Sequence, residues 1–106
     1  MSKNKKQLSA ETIAKVGGEK NLRRLTLKDE NEQEVEVIVR IPDRTTIGEY
    51  LKFANANPIK AQEILINNCV MSEDKDKIKS DDTLFLGCVS GISEIIPLAA
   101  AKVEKY

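Results

Sequence analysis

The chain has 106 residues, 41% of them hydrophobic and 32% charged, and its 17 basic and 17 acidic side chains cancel. That length allows one domain with a thin core, and the apolar share sets the chain apart from disordered sequences. Zero net charge argues against a general nucleic-acid binder, whose affinity comes largely from neutralising phosphates.

Aromatic residues make up only 4% and Trp is absent, so the core must be built from Ile, Leu, Val and Ala. Residues 1–8 are polar, with Lys3, Lys5 and Lys6 as the one basic cluster. They are expected to form a disordered basic tail ahead of a single α+β domain over residues 9–106. A polar start also argues against a signal peptide. Ser9 is placed to cap a short helix through Ala10–Val16, with Glu11 near its positive end, and Gly17-Gly18 stops it.

Leu22, Leu25 and Leu27 lie in a strand-like run. Val35, Val37, Val39 and Ile41 then alternate with Glu36, Ile38 and Arg40, a period of two that puts the first set on one face of a strand. The polar linker Asp29–Gln33 joins the two runs as an antiparallel hairpin over about 22–41. A lone hairpin is barely stable in water, so helices must cover its apolar face.

Pro42 ends the second strand. Thr46 followed by Glu49 reads as a capping box opening a helix over about 46–56, with Ile47, Tyr50, Leu51 and Ala54 on its apolar face. Asn57-Pro58 starts another over 58–71, with Pro where its missing N–H does no harm. Ser72–Ser80 reads as a solvated charged loop. Asp81 caps a helix over 82–96, and Pro97 must kink or divide it from a final helical segment over 98–105. The fold class expected is therefore α+β, an N-terminal antiparallel β-hairpin packed on a small bundle of three to four helices.

No catalytic residue, cofactor-binding residue or metal ligand is assigned. The absence of histidine removes the commonest general base and metal ligand. Cys69 and Cys88 are single residues among apolar neighbours and read as free, buried thiols rather than a zinc site or a disulfide. The acidic run Glu73-Asp74-Lys75-Asp76 is interrupted by lysine and lacks the Gly of a calcium loop, and Gly17-Gly18-Glu19-Lys20 does not match a P-loop. Asp81-Asp82 is explained by capping. No nucleophile, base and orienting group can be assembled, so the chain is not expected to be an enzyme. Gly87 and Gly91, four apart, suit close approach of the hairpin or another helix, or else a subunit interface. The most apolar stretch, Leu84–Val103, is broken by Ser90, Ser93, Glu94, Pro97 and Lys102, so no membrane span is expected. The expected location is the cytoplasm.

From Val35 to Tyr106 the order of elements resembles the small tail-assembly chaperones of tailed bacteriophages and prophages. The resemblance rests on Val37-Ile38-Val39-Arg40-Ile41-Pro42, Asn57-Pro58-Ile59-Lys60-Ala61, Leu65-Ile66-Asn67-Asn68-Cys69-Val70 and Ile92-Ser93-Glu94-Ile95-Ile96-Pro97. It implies a non-enzymatic protein of the bacterial host cytoplasm that acts as an oligomer. Its partner would be an elongated helical client such as the tape-measure protein. The alternative is a small structural component of the virion, in a neck, tail or capsid ring. Helix-in-groove recognition would use an apolar stripe, and Ile92, Ile95, Ile96 and Leu98, beside the Pro97 break, are the candidate protein-binding residues.

Overall fold

The computed structural model describes residues 7–96 and 103–106. Helix α1 (Ala10–Lys15) opens on Ser9, whose side chain accepts the Thr12 N–H at 3.1 Å. It closes with the Gly18 N–H donating to the Ile13 carbonyl and the Gly17 N–H to that of Ala14, both at 3.0 Å. This paired closure satisfies two terminal carbonyls and requires a left-handed residue after the cap. Gly17, at φ 87°, supplies it. A short 3₁₀ turn (Glu19–Asn21) leads into the sheet.

Strands β1 (Leu22–Lys28) and β2 (Glu34–Arg40) pair antiparallel, with Leu25 opposite Val37 and Leu27 opposite Val35. This register collects Leu25, Leu27, Val35, Val37 and Val39 on one face. Asp29 organises the loop. Its carboxylate accepts the Asn31 and Gln33 N–H groups at 2.8 and 2.9 Å, and Glu32 turns the chain at φ 62°. The opposite face carries Arg24, Glu36 and Ile38, and an Arg24–Glu36 ion pair of 2.9 Å ties the strands diagonally. Ile38, expected among the polar alternates, is only 4% exposed. Leu8 and Ile13 lie across that face and line a small cavity of about 120 Å³ with Ile38.

Helix α2 (Arg44–Ala54) begins a turn before the expected start. Asp43, not Thr46, is its cap, the carboxylate accepting the Thr46 N–H at 2.8 Å. Asp directly after Pro42 takes the capping position and lets the helix gain a turn, leaving Thr46 buried inside it. The cap holds the Asp43 carboxyl below its usual range, through the Thr46 bonds first and the nearby Arg40 charge second. The helix ends at Ala54, two residues short of expectation.

Helix α3 (Pro58–Cys69) has the expected Asn57 cap and stops two residues early. The chain then leaves it as an extended piece beside β2. Val70 bridges Val39, the Met71 N–H donates to the Ile38 carbonyl at 2.8 Å, and the Ile38 N–H donates to Ser72 Oγ. Sheet pairing captured Val70 and Met71, which helical spacing alone had assigned to the helix.

The segment expected to be a solvated loop contains a helix, α4 (Lys75–Ser80), anchored by fully buried Ile78. Helix α5 (Asp82–Glu94) is capped by Asp81, as expected, and ends at Glu94 rather than 96. The expected tail over 1–8 lies outside the described residues except for Gln7 and Leu8. The expected segment 98–105 does too, except for Val103–Lys105, which are not helical.

The core unites β2, the second half of α3, Ile78, and Leu84, Cys88 and Ile92 of α5. Gly87 and Gly91 put α5 against β1. A methyl group at Gly91 would sit 3.0 Å from Leu25 Cδ1, and one at Gly87 would lie 3.6 Å from Leu27 Cδ2. The pair thus serves internal packing against the hairpin. Apart from boundaries, the architecture is the α+β hairpin-and-helices arrangement expected.

Candidate protein-binding surface

Helical spacing singled out Ile92, Ile95, Ile96 and Leu98 as an apolar stripe, and the structure divides them. Ile92 has no exposed surface and belongs to the core, so it is unavailable to a partner. The three-four spacing that suggests a docking stripe is the same spacing that buries α5 against the sheet. Ile95 is half-buried against that core, Ile96 is partly exposed, and Leu98 lies outside the described residues.

Exposed apolar surface lies elsewhere, on the antiparallel pair α2–α3. The pair meets the core through Tyr50 of α2 and through Leu65, Ile66 and Cys69 at the end of α3. On this pair Leu51 is 63% and Ile59 68% exposed, although Leu51 was expected on the buried face of its helix. Among the described residues the main partner of α2 is α3.

On the same pair Phe53 has two cations over its ring, Lys60 Nζ at 4.4 Å and Lys52 Nζ at 5.6 Å from the centroid. Each contact of this kind adds about 0.5–1 kcal/mol at an exposed site. Between Glu49 and Glu63 the sequence has no acidic residue, so the end of the pair is apolar and positive. Its sequence signal was the run Leu51-Lys52-Phe53-Ala54-Asn55-Ala56-Asn57-Pro58-Ile59-Lys60, too apolar for a solvated turn. Periodicity put Leu51 and Ala54 of that run on the apolar face of their helix and left Phe53 and Ile59 unassigned.

Chemistry elsewhere is subdued. Cys69 and Cys88 are free and fully buried in one core. Burial pushes the Cys69 thiol up to about 11 and the Cys88 thiol up to about 12, the second raised further by Cys69 and Asp74. Neither is a reactive nucleophile in the folded state. Arg40 and Asp43 form an ion pair of 3.3 Å in an open cleft of about 560 Å³ with Asn21, Ile41, Pro42, Arg44 and Ile47. Among the described residues no three of His, Cys, Asp or Glu gather as a metal site, and no helix is long and apolar enough to cross a membrane.

No known protein family and no curated protein matches the sequence. Among solved structures, the chain is similar in fold to an uncharacterised protein from Bacillus stearothermophilus. The two share 20% identity at a TM-score of 0.63, over 90% of this chain and 97% of the other. At that identity the likeness concerns the fold alone.

Proposed function

We propose that this protein is a non-enzymatic binding protein that holds an elongated, helical protein client, acting as a tail-assembly chaperone of a phage or prophage in the bacterial cytoplasm. The observation that carries the binding role is the exposure of Leu51 on α2 and Ile59 on α3, on a helix pair whose Phe53 ring also carries two lysines. Large aliphatic side chains left this open on a small domain suit burial by a partner. The nearby positive charge fits a client helix that pairs an apolar stripe with acidic flanks. The phage assignment draws on the resemblance in sequence pattern between Val35 and Tyr106.

The test is affinity capture from phage-infected or prophage-induced cells, with Leu51→Ser/Ile59→Ser as the paired control and purified virions assayed in parallel. The expected result is recovery of one long helical tail protein by the native chain only, with none of this chain in the virion. A fixed copy number in the particle would make it a structural component instead. Equal capture by the double variant would move the binding surface away from α2–α3.

A further inference from the structure

The sheet face turned away from the core carries its own apolar patch, which the chain covers with its N-terminal segment. Leu22 and Ile38 share this face by alternation, and Met71, next to the Val70–Val39 bridge, joins them from the adjoining segment. Leu8 and Ile13 lie over the patch. Both line the cavity of about 120 Å³ with Leu22 and Ile38, and Leu8 also lines an open cleft of about 560 Å³ with Met71 and Ser72. The cover is therefore loosely packed, with empty space on two sides of Leu8.

The covering segment is complete in itself. Leu8 stands just before the Ser9 cap and Ile13 at the fourth helical residue, the two positions of a hydrophobic staple, which brings both to one side of α1. Besides capping the Thr12 N–H, the Ser9 hydroxyl lies 2.9 Å from that of Thr12, and Glu11 pairs with Lys15 at 3.8 Å. Among the described residues no hydrogen bond or ion pair joins residues 7–15 to anything beyond Gly18, and no residue of α1 is buried. Apolar contact alone therefore holds the segment to the sheet. The turn that follows is held differently. Val16 is buried and its carbonyl accepts Asn21 Nδ2 at 2.6 Å, the Asn21 N–H donates to the Gly18 carbonyl at 3.1 Å, and the Ile41 N–H donates to the Asn21 carbonyl at 2.8 Å. Asn21 thus ties the turn to the end of β2. A six-residue helix is not stable without packing, so α1 unwinds once Leu8 and Ile13 leave the patch, and this anchor stays.

We propose that residues 8–15 form a releasable strap, closed over Leu22, Ile38 and Met71 and opening at the Val16–Asn21 anchor while the core stays folded. Opening is a local event, because it parts two partly buried side chains from the sheet and leaves the core contacts intact. The strap is a gate: released, it uncovers the apolar patch on the outer face, and closed, it shields that patch from association.

Native-state amide exchange on the full chain tests this. The Ile13, Gly17 and Gly18 amides donate to carbonyls of Ser9, Ala14 and Ile13. They should exchange together, about a hundredfold faster than those of Ile66 and Cys69, and respond little to low denaturant because the opening exposes little surface. The Ile41 amide, which donates to the anchor, should stay with the slow set. A second measurement reads the patch itself, through a thiol placed beneath the strap by Ile38→Cys. Adding Leu8→Ser/Ile13→Ser should speed labelling of that thiol about tenfold, with labelling of Cys69 and Cys88 unchanged as internal standards. Strap amides that exchange only with the core, or a staple variant that leaves the labelling rate unchanged, would overturn the proposal by making the segment part of the core's cooperative unit. Exchange of Ile41 together with the strap would overturn it by placing the hinge inside the sheet. Labelling at the rate of a fully exposed thiol under the native strap would do so by showing the patch uncovered.

Discussion

The first turn and the second half of α3 differ in exposure within one continuous helix. Pro58, Ile59 and Lys60 are exposed, whereas Leu65, Ile66 and Cys69 have no accessible surface. The sequence is aliphatic in both halves. What differs is the number of layers around them. Leu65, Ile66 and Cys69 join residues of β2 and α5 in the core, and the first turn stays outside it. A single partner helix covers one arc of a helix, and a small domain lacks the elements to cover the rest. The wrapped half therefore contributes more to stability than the exposed first turn.

Substitutions in the core and on the exposed surface of α2–α3 can break this contrast. Leu65→Ala is expected to destabilise by about 2–5 kcal/mol in denaturant unfolding, as is Ile92→Ala, whereas Leu51→Ala and Ile59→Ala should stay within about 0.5 kcal/mol. Comparable losses at all four sites would mean that α2–α3 is as integral to the fold as the core.

The thiols sharpen the same contrast from inside the core. Cys69 and Cys88 should resist a thiol reagent in the native chain and react as the core opens. A loss of about 3 kcal/mol from Leu65→Ala should thus raise labelling about a hundredfold where opening is fast. Their native values are raised, so their protonated forms favour folding below the ordinary value of 9.0. That contribution is lost as pH rises from there through about 11 and 12. Unfolding midpoints measured across alkaline pH check the sign, and the decline should be smaller in a Cys69→Ala/Cys88→Ala chain.

Smaller effects are expected at the joints between the regions. Asp43→Ala removes the α2 cap, a loss of about 1 kcal/mol. The Asp43 carboxylate has a lowered native value. Its contribution is complete above the ordinary 3.8 and fades as pH falls through the native value. Asp43→Asn should keep most of the cap and flatten that acid limb of the stability profile. Gly87→Ala has room for a methyl group and should stabilise α5 by about 1 kcal/mol, read as a higher melting temperature. At Gly91 the same change presses on Leu25 and should return less.

Much of the architecture was legible because local signals agreed with it. Ser9, Asn57 and Asp81 marked helix starts by capping chemistry, and alternation from Val35 to Val39 marked a half-buried strand. The misreadings have physical causes. Thr46-x-x-Glu49 satisfied a capping pattern that Asp43 satisfied better. α4 was invisible because its six residues hold one aliphatic, Ile78, amid alternating charges, and a turn that short is not stable by itself. Ile38 looked like one more outward residue because nothing local shows that Leu8 and Ile13 cross over it. The candidate surface suffered from the converse ambiguity, since a stripe of aliphatics reads identically whether it meets the protein's own core or a partner.

The sequence by itself determined the capped helix starts, the polar hairpin loop, the aliphatic core and the free thiols, because each depends on neighbours within about one turn or one strand. Only the tertiary structure decided which aliphatic residues are left over. It buried Ile92 and Ile78, exposed Leu51 and Ile59, and set the Val70–Ser72 segment beside β2. Exposure depends on how many elements converge on a residue, and that number is a property of the assembled layers rather than of any local stretch of chain.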